Sequence, residues 1–248
     1  MSSARISQPF RKASLPAIAV FAKSPVPGRA KTRLIPLLGP RGAAALQAAL
    51  ISDTTAKVNR LSRRASRWLF LAGGDVPDFA GRRQWWLAPQ RGHSLANRLE
   101  AAFKTLLQYH PSAITIGTDS PLVSPRHMRQ ALSELAVCDA VIGPCPDGGF
   151  YLVGLRGKAP GLFRKVRLGS RHAFQDTVSE LARRGLSCAV LPAVADLDRP
   201  GDLKEVVKQM TRRRAMRSSA PALWRFLKEL GARPSRPHAG RMPALPAT

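Results

Sequence analysis

Acidic residues are scarce in this chain of 248 residues: 15 Asp and Glu stand against 40 Lys and Arg, for a net charge of +25. Such an excess raises nucleic acid as a partner. The charge is concentrated late, in Thr211-Arg-Arg-Arg-Ala-Met-Arg217 and Arg233-Pro-Ser-Arg-Pro-His-Ala-Gly-Arg241. Aromatic residues make up only 6% of the chain, and none is interleaved with these basic runs, so a stacking platform for single strands is not expected. There are three cysteines, Cys138, Cys145 and Cys188, without metal-ligand spacing, which excludes a disulfide framework and a zinc signature. They read as buried thiols of a reduced compartment. No apolar run approaches the ~18 residues of a membrane span, so none is expected. Arg5, Arg11 and Lys12 followed by Leu15-Pro-Ala-Ile-Ala-Val-Phe-Ala22 mimic a short signal peptide, but Lys23-Ser-Pro stands where a small-residue cleavage site belongs. A buried first strand and a cytoplasmic location are the expectation.

What is present is an alternation of short apolar runs and amphipathic stretches. Continuous runs at 18–22, 68–72, 113–117, 140–143, 151–155 and 187–191 read as strands buried on both faces, with a shorter one at 84–88. Helical periodicity covers 40–52, 94–109, 124–137, 171–184 and 201–210, and 221–230 adds one more. The pattern predicts an α/β fold, a three-layer α/β/α sandwich around a mostly parallel sheet. We divide the chain into a disordered basic N-terminus (1–16), a core domain (17–210) and a basic appendage (211–248), one helix followed by a disordered tail.

Ligands of such sheets bind at the carboxyl ends of the strands, and four strand ends carry chemistry. The loop Lys23-Ser-Pro-Val-Pro-Gly-Arg-Ala-Lys-Thr-Arg33 sets Lys23, Arg29, Lys31 and Arg33 on a segment stiffened by Pro25 and Pro27, with Gly28 for a tight turn. It reads either as a clamp for a polyphosphate or as a solvated basic loop. It lacks Walker spacing. Gly117-Thr-Asp-Ser-Pro121 places Asp119 where a carboxylate meets a cation bound to phosphates, or where it caps a helix. Pro144-Cys-Pro-Asp-Gly-Gly-Phe-Tyr151 offers Asp147 with Gly148 and Gly149, a hairpin turn that also lets backbone approach a ligand. Ala195-Asp-Leu-Asp-Arg-Pro-Gly-Asp202 offers Asp196 and Asp198, a carboxylate pair for a metal or a cap for the next helix.

Taken in order, these four segments resemble the DUF2064 family, over roughly residues 17–210. Members are described as glycosyltransferase-A-like transferases, of the radical-SAM/selenodomain-associated type and of arsenosugar biosynthesis. The resemblance implies the fold of nucleotide-diphosphosugar transferases, a nucleotide sugar, a small-molecule acceptor and Mg²⁺ or Mn²⁺. On it, Lys23, Gly28, Arg29, Lys31, Arg33, Gly148 and Gly149 would bind substrate, Asp119, Asp196 and Asp198 would hold the metal, and Asp147 would be catalytic. The Lys-Thr-Arg-Leu element also resembles phospholactate guanylyltransferases, which keeps nucleotidyl transfer from a nucleoside triphosphate as the alternative. A third reading is nucleic-acid binding through the basic tail on a degenerate scaffold. The chain departs from the family at Leu168-Gly-Ser-Arg-His-Ala-Phe174, where a Trp-Ser-Thr-like segment is usual, and at Arg199 and Gly201 of the closing motif.

Overall fold

The computed structural model describes residues 13–75, 79 and 81–231. The expected disorder of residues 1–12 and of the tail past 231 lies outside them. Among the described residues, seven strands form one sheet: β1 (Ala17–Lys23), β2 (Ser66–Ala72), β3 (Trp86–Pro89), β4 (Ala113–Gly117), β5 (Ala140–Pro144), β6 (Phe150–Leu155) and β7 (Cys188–Val190). Their order is β3-β2-β1-β4-β6-β5-β7. Neighbours run parallel except β6, which is antiparallel to β4 and β5. The reversal follows from the tight turn joining β5 to β6, which leaves no room for a crossover helix.

The described residues form seven α-helices: α1 (Ile35–Asn59), α2 (Leu95–Tyr109), α3 (Pro125–Glu134), α4 (Ala173–Arg183), α5 (Pro200–Arg212), α6 (Arg214–Ser219) and α7 (Pro221–Gly231), of which α1 to α4 flank the sheet and α5 and α7 pack on α1. Gly39, at φ 70°, interrupts α1 just before Pro40, so the long body of that helix begins at the proline. Ser94 caps α2 by accepting a hydrogen bond from the Asn97 amide at 3.2 Å.

Alternation along wholly apolar strands builds the two inner layers. In β1, Ile18, Val20 and Ala22 join Ile51 and Val58 of α1 and Met128 and Ala131 of α3 on one face. Ala17 and Ala19 join Leu99, Phe103 and Leu106 of α2 and Leu181 of α4 on the other. The three-layer α/β/α sandwich with a mostly parallel sheet is therefore the observed fold.

A third cluster extends past residue 210. Leu34, Leu46 and Leu50 pack on Leu203, Val207 and Met210 of α5 and on Leu223 and Leu227 of α7, all of them buried. Asp53 of α1 fixes the start of α7: its carboxylate accepts the amides of Ala222 at 2.9 Å and Leu223 at 2.8 Å. Helix α6 has no counterpart among the expected elements. The helix Thr32–Asn59 is long and apolar enough by length and composition to cross a membrane, although no such span is expected from the sequence. Half of its most apolar window is buried in the protein, and packing against the sheet and α7 accounts for that composition.

Replacing Asp53 with Ala removes the acceptor for one buried and one half-buried amide. We expect a loss of about 2 kcal/mol in urea unfolding. Native-state hydrogen exchange should show Ala222 and Leu223 losing protection while β4 amides keep theirs.

Candidate active site

The strand ends that attracted attention in the sequence meet in one cleft of 580 Å³. Its lining includes Lys23, Lys31 and Arg33 of the first loop, Asp119, Asp147 and Gly149, and both Asp196 and Asp198. Gly28 and Arg29 lie on the exposed outer turn of the loop and do not contribute to the lining. Gly28, at φ 80°, makes that turn, in which the Arg29 and Ala30 amides donate to the Val26 carbonyl at 3.0 and 3.1 Å. The Ser24 amide pins the loop to the Ala72 carbonyl at the end of β2, at 3.0 Å.

Lys31 does not sit as a free phosphate ligand. Its ammonium pairs with Asp119 Oδ1 at 2.9 Å and donates to the Leu197 carbonyl at 2.5 Å, with its side chain only 3% exposed. Leu197 in turn donates its amide to the Asp119 carbonyl at 2.7 Å. One buried cation thus joins the first loop, the β4 end and the closing segment. Lys31 is also the one non-glycine with positive φ, 46°, among the described residues. That conformation costs about 1–3 kcal/mol and persists only where surrounding contacts enforce it.

Arg33 forms an ion pair with Asp198. The sequence left Asp198 between metal binding and helix capping. The cap belongs instead to Asp202, which accepts the amides of Asp198 at 3.0 Å and Arg199 at 2.7 Å. Asp198 is thereby left to Arg33 and the cleft.

The Asp147-Gly-Gly segment forms the hairpin turn that the sequence offered. The Cys145 amide donates to the Gly149 carbonyl at 2.9 Å, closing the hairpin turn. Asp147 Oδ1 accepts the Gly149 amide at 2.9 Å, and Oδ2 accepts nothing among the described residues. Gly148 serves packing rather than the cleft: a Cβ there would stand 2.0 Å from the Arg171 carbonyl oxygen.

Asp196 makes no hydrogen bond or ion pair among the described residues. Burial, then repulsion from Asp147, Asp202, Asp198 and Asp119, pushes its carboxyl up to about 6. No three His, Cys, Asp or Glu side chains among the described residues converge closely enough to form a ready metal cage. The expected trio is instead two aspartates paired to loop cations plus one under repulsion. Hard carboxylate oxygens suit Mg²⁺ or Mn²⁺, and such ions need only one or two when substrate oxygens complete the shell. The strain on Asp196 is of the kind a cation relieves. Cys145, pushed up to about 12 chiefly by burial, is a thiol rather than a nucleophile.

Three cleft residues carry no motif and were not expected. Gln47 is buried and donates to the Lys23 carbonyl at 3.1 Å and to Thr118 Oγ1 at 3.2 Å, joining the ends of β1 and β4. A lone amide within Ala-Ala-Ala-Leu-Gln-Ala-Ala-Leu was the available signal. Gln90 and Arg98 lacked even that.

Residues 55–170 match the model of DUF2064, described as an uncharacterized protein conserved in bacteria. A solved structure from Desulfovibrio desulfuricans G20, provisionally named a nucleotide-diphospho-sugar transferase, is 30% identical with a TM-score of 0.78, over 89% of this chain and 96% of that one. The 2-phospho-L-lactate guanylyltransferase of Methanothermobacter thermautotrophicus is 28% identical over 183 residues, 72% of this chain and 78% of that protein. A cytidylyltransferase structure from Leptospira borgpetersenii shares the fold alone, at 11% identity and a TM-score of 0.53, over 88% of this chain and 95% of that one.

Two outcomes follow. Lys31→Ala loses the ion pair and the bond to the Leu197 carbonyl and keeps the strained backbone, whereas Lys31→Gly loses the same contacts but relieves the strain. Denaturant titration should find Gly the milder substitution, by about 1 kcal/mol. For Asp196, a raised folded-state pKa means stability is lost as pH climbs from about 4 through 6 and stays lost above. Asp196→Asn should therefore raise Tm at pH 8 and leave it unchanged at pH 4.

Proposed function

This chain belongs to the DUF2064 family and is an enzyme of the transferase class, and we propose that it transfers a sugar from a nucleoside-diphosphate donor to a small-molecule acceptor with the help of Mg²⁺ or Mn²⁺. One observation carries the reading. Lys23 and Arg33 share a cleft with Asp119, Asp147, Asp196 and Asp198 at the carboxyl ends of parallel strands.

Lys23 and Arg33 would contact the donor's diphosphate, Lys23 as a point charge and Arg33 through its fork of donors. As the acceptor oxygen bonds to the anomeric carbon, the bond from that carbon to the phosphate oxygen breaks. Its electron pair leaves on the diphosphate, where these cations meet the developing charge. The acceptor's proton passes to Asp147, whose Oδ2 is unengaged while Oδ1 is fixed by Gly149. Asp119 and Asp196, with Asp198 beside them, would hold the divalent cation, which supplies further neutralisation of the diphosphate when bound. The reduced state of Cys138, Cys145 and Cys188, all free, suits the cytoplasmic location we assign to this reaction.

A second reading is favoured by the guanylyltransferase relative: attack of a phosphorylated acceptor on a nucleoside triphosphate. Incubation with nucleotide sugars and Mn²⁺ should release nucleoside diphosphate. Release of pyrophosphate from a triphosphate would select the second reading instead, and folded protein that binds neither donor class would end both. Lys23→Ala should weaken donor binding about tenfold in isothermal titration with little change in Tm, because Lys23 is exposed and its side chain bonds to nothing among the described residues.

A further inference from the structure

The basic run at the end of α5 continues through α6 and α7 with no carboxylate to answer it. Thr211 to Lys228 holds six Lys and Arg and no Asp or Glu, and from Val206 to the end of the sequence the only acid is Glu229. Arg212, Arg213, Arg214, Arg225 and Lys228 are exposed, and Arg217 is half-buried. None of these six side chains makes an ion pair or a hydrogen bond among the described residues. None lines the cleft, so the surface they form is separate from it.

The fold arranges these cations as a band. Arg214 and Arg217 stand one turn apart on α6, on the same face. Arg217 lies over the ring of Trp224, its guanidinium carbon 5.3 Å from the centroid, which ties α6 to α7. Lys228 follows Trp224 by one turn of α7, with Arg225 beside it. Leu223 and Leu227 take the other face of that helix, buried against α1 and α5. Asp53 of α1 holds the first amides of α7. The cations are therefore carried by helices built into the packed protein.

The surroundings of the band select its partner. An anionic membrane takes an amphipathic helix through apolar side chains that insert. Here Leu223 and Leu227 are consumed by packing, and the large apolar side chains left exposed among the described residues, Leu15, Leu95, Val137 and Val190, lie on other elements. Single strands are gripped by open aromatic rings. Trp224 is half-buried and Arg217 already occupies one face of its ring. What is offered is a row of unpaired cations, the complement of successive phosphates. We infer that α6 and α7, with the end of α5, bind the phosphate backbone of duplex nucleic acid without regard to its sequence.

The test is fluorescence anisotropy of the full chain with a short DNA duplex, an RNA duplex of the same sequence, each single strand, and phosphatidylserine vesicles as competitor. Duplex affinity should fall about a thousandfold between about 50 and about 200 mM salt, as about six phosphate contacts require. Binding of either duplex supports the inference, and the tighter of the two names the source. Because the whole chain is basic, two variants that lose equal charge are compared. Arg212→Gln, Arg213→Gln, Arg214→Gln and Lys228→Gln together should flatten the slope of log affinity against log salt by about three to four. Arg63→Gln, Arg64→Gln, Arg126→Gln and Arg129→Gln together remove exposed cations elsewhere, and should keep affinity within about threefold. Tm of both variants is measured alongside. Equal loss in the two variants would assign binding to diffuse charge and overturn the inference, as would full affinity in the first variant. So would tighter binding of single strands, displacement of the duplex by vesicles, or failure of folded protein to bind either duplex.

Discussion

Three segments far apart in sequence meet at the ammonium of Lys31. It pairs with Asp119 at the end of β4 and bonds the Leu197 carbonyl between Asp196 and Asp198. That junction ties the first loop and the closing segment to the β4 end. The first loop is drawn inward, which brings Arg33 onto Asp198. The closing segment is drawn down onto the sheet, which suspends Asp196 among carboxylates it would otherwise avoid. The strained backbone of Lys31 shows that tertiary contacts, not local preference, hold the loop in place.

A consequence is a cleft with its charges divided. Some are neutralised within the protein, as in the two loop–aspartate pairs. Others are left exposed or unbalanced: Lys23 on the basic side, Asp147 and Asp196 on the acidic side. A diphosphate with a divalent cation carries both signs at once and would complete each set. Burying uncompensated carboxylates lowers stability, and sites that do so give up stability for function. Behind the cleft, buried Lys57 donates to the Pro121 carbonyl at 2.6 Å, supporting the loop that carries Asp119. Asp53, one helical turn earlier, anchors α7. Helix α1 thus joins the site to the C-terminal helices.

The fold was readable because parallel strands buried on both faces leave continuous apolar runs: Ala113–Gly117 runs over the same residues as expected, and the helix capped by Ser94 begins where its serine indicated. The strand-end motifs were readable for a similar reason, since chemistry in such sheets gathers at carboxyl ends. What could not be read were pairings. Nothing local told that Lys31 would be consumed by Asp119, that Asp202 rather than Asp198 would cap α5, or that Gly148 would face Arg171. The first and third depend on segments tens of residues apart, and the cap on which of two aspartates within the same few residues turns toward the Asp198 and Arg199 amides. Gln90 was invisible because its partners are backbone carbonyls, which leave no mark in side-chain spacing, and Gln47 left only its lone amide in an apolar run as a signal. The packing of α7 was hidden by the basic residues around it, although Leu223 and Leu227 already lie one turn apart on one face.

The central claim is that nucleoside diphosphate and divalent cation occupy this cleft together, each completing the other's site. Electron paramagnetic resonance titration of Mn²⁺ measures it directly. Free Mn²⁺ should bind weakly to the protein alone and at least tenfold more tightly once nucleoside diphosphate is present, with the same factor recovered for the nucleotide when Mn²⁺ is added. Mn²⁺ affinity that is indifferent to nucleotide, or that persists undiminished in Asp196→Asn, would contradict the account.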